Sequence, residues 1–254
     1  MFGFARKLWS EPEPAAALVP RGVRVYAVGD IHGRYDLLEQ MLGQIERDAA
    51  GADDLVKYIV FLGDYVDRGP QSRLVIERLA GSPPPGFGVI HLRGNHEAAM
   101  LEFLEDVRIG GNWIAYGGNA TIASYGIVPP AEDAPEDLLA DAQHQLLANL
   151  PQHHWAFLKG LRNSITIGDY LFVHAGIRPG VPLDRQNESD LLWIRREFLS
   201  STADHGKVVV HGHTIAEQPE IRPNRIGIDT GAFATNRLTA LVLEGAERRF
   251  LCTV

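Results

Sequence analysis

Neither disulfide cross-linking nor a thiolate metal cluster is open to this chain, because its one cysteine, Cys252, stands almost at the C-terminus. A reducing, cytoplasmic compartment is the matching expectation. No apolar run approaches the length of a membrane-spanning helix. The opening Met1-Phe2-Gly3-Phe4-Ala5-Arg6-Lys7-Leu8-Trp9 is too short in its apolar part for a signal peptide, and Glu11-Pro12-Glu13-Pro14 interrupts it. A basic excess is missing as well: the formal net charge is −8, so neither a nucleic-acid partner nor a membrane surface is expected. With no internal repeat and no clear linker, the economical organisation is a flexible leader over residues 1–22 and a single domain over residues 23–254. Phe2, Phe4, Leu8 and Trp9 are read as part of that leader rather than as a docking element.

What is present is one event repeated five times. Short apolar runs rich in β-branched and aromatic residues end in a glycine flanked by metal-binding or phosphate-binding side chains. Val23–Val28 leads to Gly29-Asp30-Ile31-His32-Gly33, and Tyr58–Leu62 to Gly63-Asp64-Tyr65-Val66-Asp67-Arg68-Gly69. Phe87–Leu92 leads to Arg93-Gly94-Asn95-His96-Glu97, Tyr170–Val173 to His174-Ala175-Gly176, and Lys207–Val210 to His211-Gly212-His213-Thr214. Ligands of open α/β sheets bind at the carboxyl ends of strands, so these five ends are expected to converge on one site.

Helical spacing over Arg34–Arg47 and Gln71–Ala80 separates the first three strands, which predicts a parallel βαβαβ unit with right-handed crossovers. A mainly helical insertion follows from about residue 97 to 160, its segments Glu97–Val107 and Pro135–Leu150 parted by the Gly- and aromatic-rich stretch 110–119. Such an insertion is expected to wall the site and to carry substrate choice; packing is the plain alternative for Trp113, Tyr116, Tyr125 and Trp155, and it is preferred for Trp155. The C-terminal half reads as strand-rich: a hairpin around Gly168-Asp169-Tyr170, a helix over Asp190–Ser200, and strands at 225–229, 239–243 and 248–251.

Asp30, His32, Asp64, Asn95, His174 and His213 offer oxygen and imidazole nitrogen without sulfur, a donor set for manganese, iron or zinc rather than for a structural zinc. Six donors exceed one tetrahedral ion. Two ions sharing Asp64 fit, and paired ions ~3.5–4 Å apart activate water and clamp phosphoryl oxygens in an in-line displacement. His96 is the candidate proton donor to the leaving alkoxide, on the expectation that adjacent side chains of an extended segment diverge, Asn95 to the metal and His96 to substrate. Asp67 is its orienting carboxylate and Arg68 a bidentate phosphate ligand.

These motifs, together with His174-Ala175-Gly176-Ile177, resemble the PPP-type metallophosphoesterases of the calcineurin-like superfamily, and among them the compact bacterial and phage serine/threonine protein phosphatases. The resemblance spans roughly Val23 to Gly231. It implies an α/β fold with a central β-sandwich flanked by helices. It also implies one metal on Asp30, His32 and Asp64 and a second on Asp64, Asn95, His174 and His213, with manganese the first expectation and iron or zinc the others. His96 then matches the proton donor, Asp67 its partner, and Arg68 and Asn95 phosphate-binding groups. A second phosphate-binding arginine is expected from Leu191-Leu192-Trp193-Ile194-Arg195-Arg196, with Arg195 preferred to Arg196. The segment Ile228–Phe233 has no counterpart to the tyrosine-containing loop of eukaryotic members.

The expected activity is hydrolysis of phosphorylated proteins or peptides by direct hydroxide attack, without a covalent phosphoenzyme. A symmetrical dinucleoside-tetraphosphate hydrolase is the alternative. Members of that branch typically lack the second aspartate of the central motif and carry Asp where this chain has Glu97, so Asp67 and Glu97 favour the phosphatase. A phosphate-binding module without turnover is the third reading. Arg93 is expected to pair with a motif carboxylate, Asp229 to lie near the ligands, and Glu97 either to bond beside them or to begin its helix.

Overall fold

The computed structural model describes residues 16–253. The leader residues 1–15, including Phe2, Phe4, Leu8 and Trp9, lie outside the described part. In chain order the first elements are β1 (Val23–Val28), α1 (Tyr35–Ala49), β2 (Val56–Phe61), α2 (Ser72–Ala80), β3 (Phe87–His91) and α3 (Asn95–Glu105). The insertion continues with α4 (Gly110–Trp113), α5 (Asn119–Ser124), α6 (Glu136–Asn149) and α7 (Gln152–Lys159). Then come β4 (Ser164–Ile167), β5 (Tyr170–Val173), α8 (Glu188–Trp193), α9 (Arg196–Leu199), β6 (Val208–His211), β7 (Glu220–Ile221) and β8 (Arg225–Gly227). Last are α10 (Ala232–Thr235), β9 (Thr239–Glu244) and β10 (Glu247–Cys252).

The strands form two five-stranded sheets, β10-β9-β1-β2-β3 and β4-β5-β6-β8-β7. In the first, β1, β2 and β3 are parallel, as the βαβαβ reading requires, and β9 and β10 extend it as an antiparallel meander. In the second, β5, β6 and β8 are parallel and β4 closes the hairpin onto β5.

Side-chain alternation along the strands explains the layers. Val25 and Ala27 of β1, Val60 of β2 and Leu241 and Leu243 of β9 turn inward against Tyr170, Phe172, Val208, Val210 and Ile226, making the core between the sheets. Their neighbours Tyr26, Val28, Ile59, Phe61 and Val242 face outward onto Leu38, Met41, Ile45, Val75 and Ile76 of the crossover helices. Beyond the second sheet, Leu171, Val173 and Val209 pack on Leu191, Ile194 and Phe198. The result is a β-sandwich flanked by helices. Among the described residues no helix is long and apolar enough to cross a membrane.

Three expectations need correction. The leader ends sooner than residue 22: Val19 is buried in the inter-sheet core and donates its N–H to Gly245, while Leu18 exchanges bonds with Asp169. Its apolar side chain and free backbone groups find partners on both sheets. The helix expected over Asp190–Ser200 is broken into α8 and α9, because Ile194 is extended and Arg195 sits at φ −131°, ψ −90°. The stretch 110–119 is helical throughout its length except at Gly117 (φ 111°), with a π turn over Ile114–Gly118.

Candidate metal centre

The carboxyl ends of β1, β2, β3, β5 and β6 meet at one edge of the sandwich, and the turns that follow them are unusual. Among the described residues six non-glycine residues have positive φ, and five of them, His32, Asp64, Asp67, Arg68 and His213, belong to this centre. Left-handed backbone costs about 1–3 kcal/mol per residue and persists where surroundings over-determine it. Here they do: Glu97 accepts the backbone N–H groups of Asp64, Tyr65 and Val66 at 2.7–3.2 Å, and that of Gly94 at 2.9 Å. Glu97 thus holds the central motif and caps α3 at once. Gly94 is obligatory beside it, since a Cβ there would stand 2.1 Å from Asp64 Oδ1.

Histidine tautomers are set by backbone carbonyls, as outer partners of metal-binding histidines commonly do. His32 Nδ1–H donates to Val66 at 2.8 Å and His174 Nδ1–H to Leu62 at 2.9 Å, so both Nε2 lone pairs are directed inward. Each Nε2 lies 3.5 Å from Asp64 Oδ2, which sits between the two groups. His174 Nε2 is also 2.8 Å from Asn95 Oδ1 and 3.2 Å from His213 Nδ1. Asp30 Oδ2 accepts the His213 backbone N–H at 3.0 Å, leaving its buried Oδ1 without a partner. Acceptors therefore face acceptors in two groups joined by Asp64, an arrangement that divalent cations satisfy.

Electrostatics point the same way. Burial lowers the pKa of His32 to about 3 and of His213 to about 2, and lowers that of His174, so these rings are neutral at pH 7 with lone pairs to give. Burial, Asp229 and Asp64 push Asp30 well above the usual carboxylate range. Asp229 rises to about 6 and Glu97 to about 7, burial being the first cause and Asp64 a further one. Burial would raise Asp64 too, but the positive charges that His174, His96, His32 and His213 carry when protonated in acid outweigh it and hold Asp64 below the ordinary value. Four carboxyl groups crowd this region, and positive charge brought among them relieves their repulsion.

His96 differs from the other rings. Burial lowers its pKa, but Asp64 and the bond to Asp67 outweigh this and leave it above the ordinary histidine value. Its Nδ1–H donates to Asp67 Oδ2 at 2.7 Å, and its Nε2 lies 3.9 Å from Asp64 Oδ2, inside the centre. Asn95 and His96 diverge as the first two residues of α3, not as an extended pair, because the Glu97 cap starts the helix at Asn95. Two residues to which sequence reasoning gave no part in the His96–Asp67 pair complete the Asp67 environment. Trp113 Nε1–H donates to Asp67 Oδ2 at 2.9 Å and Thr121 Oγ1–H to Asp67 Oδ1 at 2.6 Å. The insertion is thus bolted to the central motif, and Gly117 O accepts from Arg68 N as well. No local signal marks these contacts.

Arg68 donates to His32 Nε2 at 2.9 Å, and its guanidinium lies 4.7 Å from the ring centre of Phe233, which also meets the His32 ring edge-on. Arg195 is at the rim, bonded to Thr214 Oγ1 at 3.2 Å and near enough to lower His174 and His213. Arg93 pairs with Glu188 of α8 rather than with a motif carboxylate, since the bend after β3 points it outward to that helix. Asp229 bonds the Gly231 N–H beside Asp30.

The profile of the calcineurin-like phosphoesterase family matches residues 23–234. A bis(5'-nucleosyl)-tetraphosphatase PrpE (asymmetrical) of Bacillus subtilis is 28% identical over 231 residues, covering 84% of this chain and 87% of that one. The serine/threonine-protein phosphatase 2 of Escherichia coli is 28% identical over 223 residues, covering 85% and 90%. In fold, the chain is similar to a protein provisionally designated a diadenosine tetraphosphatase, with TM-score 0.60, 22% identity and coverage of 94% and 99%. It is also similar to a yeast protein serine/threonine phosphatase akin to human PP5, with TM-score 0.54, 15% identity and coverage of 91% and 79%.

Proposed function

The chain belongs to the calcineurin-like phosphoesterases, and on that premise we propose that it is a two-cation phosphomonoesterase acting on phosphoserine and phosphothreonine in proteins or peptides. One cation would be held by Asp30, His32 and Asp64, the other by Asp64, Asn95, His174 and His213, with manganese as the first choice. Such a pair, when bound, would supply a hydroxide nucleophile at neutral pH and stabilise charge on the phosphoryl oxygens. Arg68, resting on Phe233, Arg195, at the rim, and Asn95 are the side chains that orient the phosphoryl group. His96 delivers the proton from Nε2 to the departing oxygen, while Asp67 keeps its Nδ1–H fixed and its charge favourable.

The observation that carries this reading is the 2.7 Å His96–Asp67 pair beside Asp64. Serine and threonine leave as alkoxides and need a proton, and general acid catalysis contributes about 10²–10⁴-fold to such steps. A nucleotide expelled from a phosphoanhydride leaves as a stable phosphate anion and draws less on an acid. The names of the Bacillus relative and of the provisionally designated structure favour a second reading, hydrolysis of dinucleoside tetraphosphates.

Rates on phosphoserine and phosphothreonine peptides and on diadenosine tetraphosphate, measured side by side with metal-stripped protein reloaded with manganese, separate the two. Faster peptide hydrolysis is expected, and faster dinucleotide hydrolysis would overturn the substrate class while leaving the chemistry. Replacing His96→Asn should lower peptide turnover by about a hundredfold or more and affect an activated aryl phosphate far less. Equal losses on both would remove His96 as the acid.

A further inference from the structure

Away from this centre, Glu77 of α2 meets His153 and His154 at the start of α7. His154 Nε2 lies 2.8 Å and His153 Nε2 3.1 Å from the same oxygen, Glu77 Oε2. The three candidate ligand atoms all fall within 4.8 Å of one another. Ligand distances of ~2.0–2.2 Å in a tetrahedral site place ligand atoms roughly 3.3–3.6 Å apart, so widening the two imidazole–carboxylate distances by about half an ångström would bring them to that spacing. His154 is wholly buried, whereas Glu77 and His153 are half-exposed, which leaves one side open to water and to an entering ion.

A further contact makes this more than a surface ion pair. The Tyr125 hydroxyl lies 2.9 Å from His154 Nδ1, the position of the outer partner that orients a metal-binding imidazole and fixes its tautomer. With Nδ1–H donated to that hydroxyl, the Nε2 lone pair faces Glu77. Two imidazoles, one carboxylate and a water constitute a zinc-type donor set, and no such set is required by the phosphoesterase chemistry. We propose that Glu77, His153 and His154 form a third metal site, selective for zinc or a similar borderline divalent cation, that clasps α2 to α7.

The position gives the site a consequence. Helix α2 begins at Ser72, whose Oγ accepts the Asp67 N–H, and Tyr125 follows the α5 helix that carries Thr121. An ion here would join α7 to α2 and, through Tyr125, to the end of α5, the two elements that contact Asp67, without touching the catalytic donors.

Equilibrium dialysis of the full chain against micromolar zinc, with bound metal measured by atomic emission, tests this on the wild type, His153→Ala and Glu77→Gln. Both altered side chains are half-exposed, and in Glu77→Gln the amide N–H can donate to the His154 Nε2 lone pair, so folding is preserved while the anionic ligand is lost. The expected result is one zinc per chain fewer in each variant than in the wild type. Zinc added to manganese-loaded protein should also raise the thermal midpoint of the wild type and not of the variants. Equal zinc content in all three proteins, or equal thermal shifts, would overturn the site.

Discussion

Asp67 receives donors from three separate parts of the chain: His96, Trp113 and Thr121. Its carboxylate is wholly buried, so each donor offsets a desolvation cost that the others cannot carry alone. Trp113→Phe keeps most of the ring volume stacked on Phe103 but removes the N–H. A hydrogen bond to a buried charge contributes roughly 1.5–3 kcal/mol, so the unfolding free energy of the variant, read from denaturant titration, should be lower by about that amount. Turnover on alkyl phosphates should fall more than turnover on aryl phosphates, because the loosened Asp67 holds His96 less well. A variant with wild-type stability and an unchanged alkyl-to-aryl ratio would show that Trp113 only packs.

Strand ends and their closing turns are the elements on which the centre depends. Gly94 lets the turn after β3 pass against Asp64, and Gly94→Ala would drive a methyl group into that carboxylate and its backbone. The expected outcome is loss of bound manganese together with activity, read by metal analysis of protein that retains its secondary structure by circular dichroism. At the opposite side, Asp48 of α1 is bonded by Arg249 of β10 at 2.6 Å and by Tyr26 of β1 at 2.7 Å. Burial raises the Asp48 pKa, but the Arg249 and Tyr26 bonds outweigh it, so the folded value lies below the unfolded one. A depressed carboxylate contributes stability above its unfolded pKa, ~3.9, and loses it as pH falls through the folded value. Asp48→Asn should therefore be less stable than wild type near neutrality, with the gap closing below about pH 4 in urea titrations. A gap that persisted into acid would mean that Asp48 acts by packing.

For the whole molecule, a buried edge carrying Asp30, Asp64, Asp229 and Glu97 makes folding and cation binding one linked equilibrium. Binding at a hundredfold excess over Kd adds about 2.7 kcal/mol per ion, and 1 kcal/mol corresponds to about 2–4 °C in a protein of this size. Removing metal by chelation should lower the thermal midpoint by roughly 5–10 °C for each ion lost, restored by manganese. An unchanged midpoint would contradict cation binding at this edge. Acidity of the chain as a whole does not oppose anionic substrates, because the local charge of a loaded centre, with arginines at its rim, governs the approach.

Strand–turn chemistry is local, and so it was legible: the apolar runs, their terminal Asp, His and Asn residues and the glycines between them specify both the parallel unit and the donor set of the centre. The β-sandwich came from the family resemblance alone, and the structure supplies its reason, since alternation along β1, β2 and β9 gives one face to each layer. Contacts between residues distant in the chain were decided only by tertiary packing. The bolting of Asp67 by Trp113 and Thr121, the break of the α8–α9 helix that sets Arg195 apart from Arg196, the capture of Val19 between the sheets and the meeting of Glu77 with His153 and His154 all belong there. Each depends on where two elements come to rest against each other, and that is set by the summed burial of many apolar side chains rather than by any short motif.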